Sequence, residues 1–128
     1  LKGQRKRLAH EIANGNTARA VPQATVVVTN PTHYAVALRY RPGETPLPVI
    51  VAKGADDQAM EIRRIAEASG VPIVGDPPLA RALFKVPVDD TVPEALFEGV
   101  ATVLRWVAML DAAGTARSNS PAPRGDQA

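Results

Sequence analysis

Four consecutive residues, Asn30-Pro31-Thr32-His33, combine groups that are able to cut their own backbone. They interrupt the stretch VVVTNPTHYAVALRY, Val26 to Tyr40, between two runs of β-branched and apolar residues. Asparagine ordinarily ages when the next backbone nitrogen attacks its side-chain carbonyl, but Pro31 has no N–H and that route is closed. The reverse attack stays open: the Asn30 side-chain nitrogen adds to Asn30's own backbone carbonyl, closes a five-membered succinimide and expels the Pro31 nitrogen. The chain is then cut between Asn30 and Pro31. Glutamine would close a less favourable six-membered ring, and aspartate lacks the nitrogen. Proline departs as a relatively basic secondary amine that takes up a proton.

A carboxamide is a poor nucleophile, so it must be oriented, helped to lose a proton, and matched by a donor to the developing oxyanion. His33 is the nearby side chain of the type suited to proton transfer near neutrality. Thr32 supplies a hydroxyl or holds the turn. Shortening an uncatalysed cleavage of weeks to minutes takes about 10⁴-fold, roughly 5.5 kcal/mol, within reach of orientation plus one proton relay. The plainer account makes Asn30-Pro31 a turn starter and His33 a polar residue at a strand edge. Three functions therefore stand side by side: a self-cutting domain, an interaction module without chemistry, and a small hydrolase acting in trans. The hydrolase would need a nucleophile partnered with a base, and His33 has no such partner in the sequence.

Other chemistries find little support. The sequence holds no GxGxxG after a strand, no GxxxxGK[ST], no HExxH and no GxSxG, so no cofactor is expected. His10 and His33 are the only histidines and lie far apart, and there is no cysteine, so no metal site or disulfide framework is expected. Asp56-Asp57 and Asp89-Asp90 read as helix caps rather than catalytic pairs.

At 128 residues and 45% apolar composition, the chain suits one domain with one core. No apolar run approaches the roughly 18 to 20 residues of a membrane span, and no secretory signal is recognisable. The net charge of +2 is uneven: Lys2, Arg5, Lys6, Arg7 and Arg19 face only Glu11 in the first twenty residues. Such a segment is either solvated or held beside anionic lipid, at about 1 kcal/mol per basic residue. The remainder is net acidic and poor in aromatics, which argues against nucleic acid as a partner.

The elements that must position the motif follow from periodicity. LKGQRKRLAHEIANGN reads as a short polar helix stopped near Asn14-Gly15, and TARAVPQA as a connection. Thr25 to Thr29, Tyr34 to Tyr40 and Val49 to Ala52 read as strands, with a loop over RPGETPLP and Gly54 as punctuation. From Asp56 to Ser69 the period becomes helical, with Ala59, Ile62, Ile65 and Ala66 on one face and Gly70 as the stop. VPIVGD supplies a fourth strand, and Asp76 caps a helix opening at Pro77-Pro78. Asp90 or Thr91 is expected to cap a last helix striped by Leu96, Val100, Val103, Leu104, Val107 and Leu110. The fold class is α/β, a small mixed sheet of four to five strands surrounded by about four helices. Residues 1–23 form a basic helix and connection, 24–111 the domain, and 112–128 a disordered tail.

TNPTHYAVALRY, VAKG, GVPIV, PPLARAL and VLRW resemble, in order and spacing, the cytoplasmic domain of the FlhB/YscU family. That family is the autocleaving substrate-specificity switch of bacterial type III secretion export gates, and the likeness covers Thr25 to Leu110. RPGETPLP and VLRW look more like the injectisome branch than the flagellar one. The resemblance implies transmembrane helices upstream in the inner membrane, with this domain on the cytoplasmic side. It implies Asn30 as the cyclising residue, Pro31 as the leaving side, and Thr32 and His33 as the supporting turn, with the cut halves staying associated. Implied partners are other export-apparatus proteins, secreted substrates, a needle- or hook-length regulator and the chain's own cleaved N-terminal fragment. The implied role is a single-turnover maturation that changes which proteins are exported.

Overall fold

Val26–Asn30 forms β1, Tyr34–Arg39 β2, Val49–Ala55 β3 and Ile73–Gly75 β4, in one sheet ordered β3-β2-β1-β4. The computed structural model describes residues 17–31 and 33–119, with side chains up to residue 112. β2 runs antiparallel to both β1 and β3, while β1 and β4 are parallel, so β1, β3 and β4 all bring their carboxyl ends to one edge. This is the α/β class with a mixed sheet.

Helices cover both faces, which is why β1 reads as a continuous valine run rather than an alternating one. A helical turn over residues 17–20 (α1) leads through a 3-10 turn, Val21–Gln23, into the sheet. Helix α2 is Asp57–Ser69, α3 is Pro77–Phe84, and α4 is Phe97–Asn119 after a 3-10 turn at Glu94–Leu96. Val26, Val28, Val36, Leu38 and Ile50 pack against α3 and α4. On the other face Val27, Ala35, Ala37 and Ala52 meet Ala59, Ile62 and Ala66 of α2. Small residues on both sides let α2 approach the sheet closely.

Several boundaries differ from those read off the sequence. β1 starts at Val26 and includes Asn30, and β3 continues past Ala52 to Ala55. Gly54 does not end that strand. A Cβ there would lie 2.6 Å from the Gln58 Cβ, so the glycine admits α2 rather than stopping β3. Asp90 and Thr91 do not cap α4: Thr91 bridges Val49, and the Asp90 carbonyl accepts from the Ile50 N–H at 3.0 Å. Pairing along the free edge of β3 outcompetes capping there, and the helix begins only at Phe97. Asp56 occupies the position before α2, yet its carboxylate makes no capping bond.

Asp76 does cap α3, its Oδ1 accepting from the Leu79 N–H at 3.2 Å with proline in the first turn. Gly70 closes α2 at φ +73. Val21, expected in a connection, is fully buried in the α2-side core. α4 runs beyond Leu110 to Asn119, so it enters the segment expected as tail; residues 120–128 lie outside the described residues. So do residues 1–16, which carry His10 and most of the basic segment. No helix among the described residues is long and apolar enough to cross a membrane.

Candidate functional site

Asn30 ends β1 opposite Tyr34, the first residue of β2, leaving Pro31 to His33 as the connection. Three backbone hydrogen bonds hold this turn. The His33 N–H donates to the Asn30 carbonyl at 2.8 Å, the Asp56 N–H to the His33 carbonyl at 2.9 Å, and the Asp76 N–H to the Thr29 carbonyl at 2.9 Å. The donors outside the turn come from the two junctions, β3 to α2 and β4 to α3, that share the carboxyl edge of the sheet with it.

The first of these bonds bears on chemistry. If the Asn30 side-chain nitrogen attacks its own carbonyl carbon, negative charge develops on the carbonyl oxygen, and the His33 N–H already points at it. Donors about 2.7 to 3.1 Å from a developing oxyanion are the arrangement that lowers such barriers. Asn30 is half-buried, while Pro31 and His33 are exposed; Thr32 lies outside the described residues.

Beneath the turn lie packed side chains and further hydrogen bonds. Side chains alternate along β1, so Asn30 shares the face of Val26 and Val28, toward α3. Its cross-strand neighbour Tyr34 stacks on Phe84 with ring centroids 4.4 Å apart. Lys53 of β3 lies 5.2 Å over the Phe84 ring and donates to the Phe84 and Val86 carbonyls at 2.9 and 3.0 Å. A cation at a helix C-terminus satisfies unpaired carbonyls and complements the dipole. Lys53 thus ties β3 to the end of α3 under the motif.

Sequence reasoning singled out Asn30, Pro31, Thr32 and His33, and missed Asp56, Asp76 and Lys53 as supports. The first two act through backbone N–H groups, which any residue but proline carries, so their side chains gave no signal.

Elsewhere an apolar groove of about 350 Å³ lies between the β2–β3 loop and α4, lined by Tyr40, Leu47, Pro48, Phe97 and Leu104 among others. It sits past the far end of β2 from Tyr34 and holds no catalytic set of the kind a hydrolase needs. Among the described residues no cluster of three or more histidine or acidic side chains could hold a metal ion.

A four-stranded mixed sheet between helices, carrying an Asn-Pro-Thr-His turn at its carboxyl edge, defines a recognisable class of small α/β domain. The chain belongs to the FlhB HrpN YscU SpaS family, whose model matches residues 1–107. It is 54% identical over 116 residues to the hypersensitivity response secretion protein HrcU of Ralstonia nicotianae, covering 90% of this chain but 32% of that protein. The chain therefore spans about a third of that relative. The cytoplasmic domain of FlhB from Shewanella putrefaciens superposes with a TM-score of 0.76 at 40% identity, covering 86% of this chain and 85% of that one. A mutated EscU C-terminal domain superposes at 0.70 with 38% identity, covering 73% and 94%. Identity is thus higher to the secretion-named HrcU than to the flagellar FlhB domain, in keeping with the injectisome branch.

Proposed function

We propose that this chain is the cytoplasmic-side domain of a type III secretion export-gate protein, and that it cuts itself between Asn30 and Pro31 by asparagine cyclisation. The observation that carries the reading is the 2.8 Å bond from the His33 N–H to the carbonyl of Asn30, the one carbonyl this chemistry must attack. The Asn30 Nδ2–C bond forms as the Asn30 C–Pro31 N bond breaks. One proton leaves Nδ2 and one arrives on the proline nitrogen, with the His33 imidazole as the relay and the His33 N–H holding the transient oxyanion. The products are a C-terminal succinimide on Asn30 and a free N-terminal Pro31.

Each molecule performs the reaction once, so it is a maturation and not turnover. Cutting frees the connection between two strands, and the new ends and the Pro31 to His33 segment change the local surface. In the full protein that change accompanies a switch from early needle or hook subunits to later exported proteins. Its partners are other export-apparatus proteins, secreted substrates and a length regulator. The inner membrane is reached through helices upstream of this chain, and nucleic acid is not a partner.

Mass measurement of denatured protein tests this. Two fragments, ending at Asn30 and beginning at Pro31, should sum to the parent mass until the succinimide takes up water. A single full-length mass that persists on incubation would favour a non-cleaving interaction module.

A further inference from the structure

Asp56 holds a backbone conformation, φ 52 and ψ −114, that side chains with a Cβ rarely adopt. The cause lies two residues upstream. Because α2 comes so near Gly54 that a Cβ there would lie 2.6 Å from the Gln58 Cβ, β3 has to turn into the helix within about a residue. Asp56 is not there as a cap, since its carboxylate makes no capping bond. Its backbone is used at both ends instead: the carbonyl accepts from the Met60 N–H at 3.1 Å, and the N–H donates to the His33 carbonyl at 2.9 Å.

We infer that Asp56 is a positioning residue for the cut, its strained backbone fixing His33 so that the His33 N–H stays aimed at the Asn30 carbonyl. This rests on the cyclisation reading. Both backbone polar groups of His33 are tied, one to Asn30 and one to Asp56. Releasing the second tie lets the residue rotate about its own backbone and loosens the first. Strain retained at a junction beside a reacting bond is the kind that surrounding structure holds in place for geometry. The side chain of Asp56 is exposed, so the role belongs to the backbone and not to the carboxylate.

The time course of cutting distinguishes these roles in the parent, Asp56→Gly, Asp56→Asn and Asp56→Val, each assayed well below its own melting midpoint so that the folded fraction is equal. Glycine takes positive φ freely and keeps the N–H, so Asp56→Gly should cut at least as fast as the parent. Asp56→Asn should match the parent. Asp56→Val, whose branched Cβ resists this conformation, should cut about tenfold more slowly or worse. If the valine variant does not fold, Asp56→Ala takes its place, with slower cutting still expected.

Parent-rate cutting by a folded Asp56→Val or Asp56→Ala would overturn the inference while leaving cyclisation intact. Slow cutting by both Asp56→Gly and Asp56→Asn would also overturn it, by assigning the role to the carboxylate. A parent that never cuts would overturn the cyclisation reading and this inference together.

Discussion

The backbone N–H of His33 donates to the carbonyl oxygen of Asn30 at 2.8 Å, while His33 itself is exposed. Two contributions of one residue are therefore separable. His33→Ala removes the proposed proton relay but keeps the proposed oxyanion donor, so cutting should slow by about 10- to 100-fold rather than cease. Gel densitometry over days would measure it. Cutting at the parent rate would remove the imidazole from the mechanism.

Asn30→Ala should abolish cutting, because it removes the proposed nucleophile. Asn30 is half-buried at a strand end rather than part of the core, so the thermal midpoint should stay close to the parent's. In the parent, cutting should accelerate as pH rises from about 5 to 9, since the attacking amide must lose a proton. Fragments from the alanine variant, or a flat pH profile in the parent, would end the cyclisation account.

Gly54→Ala should destabilise the domain by about 1 to 3 kcal/mol, the usual cost of forcing an extra methyl into packed structure. The new Cβ would meet the Gln58 Cβ at 2.6 Å and its backbone carbon at 3.0 Å, and backbone cannot yield as a flexible side chain does. Urea denaturation reads this directly. An unchanged midpoint would mean that α2 does not rest on β3 this closely.

Gly54 also shows where sequence reading stops. In one dimension a glycine after a valine run resembles a strand end, and only the arrival of α2 in space reveals that it permits a contact. Asp90 and Thr91 misled for a related reason: cap-forming residue types before a helical stripe suggest a cap, whereas the free edge of β3 offers the same backbone groups a better partner. What was legible rested on local rules. Valine runs marked the strands, the 3.6-residue stripe marked α4, and Asp76 before two prolines marked the start of α3. The motif residues drew notice because the chemistry proposed for them rests on side-chain types. The N–H groups of Asp56 and Asp76 were not, because a backbone donor has no residue type.

Asp76→Ala separates stability from reactivity. Losing the bond from the Leu79 N–H to Asp76 Oδ1 should cost about 1 kcal/mol of stability. The Asp76 N–H to the Thr29 carbonyl is backbone and survives the change. The variant should melt lower yet cut at close to the parent rate when folded. A large loss of cutting in a folded Asp76→Ala would assign its carboxylate a part in the reaction.

Cutting at Asn30 should not release the upstream piece, because β1 lies inside the sheet with β2 on one side and β4 on the other. Val26, Val27 and Val28 are each fully buried, divided between the two cores that flank the sheet. Burying a valine contributes roughly 1.5 kcal/mol or more, and the ladders to both neighbouring strands are kept when one peptide bond beyond them is cut. Val21 adds a further buried anchor upstream. The fragment ending at Asn30 should therefore elute with the fragment beginning at Pro31 in a single native peak on size-exclusion chromatography, and separate only in denaturant. The proposed cut would then alter the surface around the turn without dismantling the domain. Two native peaks would show that β1 leaves the sheet once its covalent link to β2 is lost, and that release of the fragment, rather than a local change at the turn, is what cutting achieves.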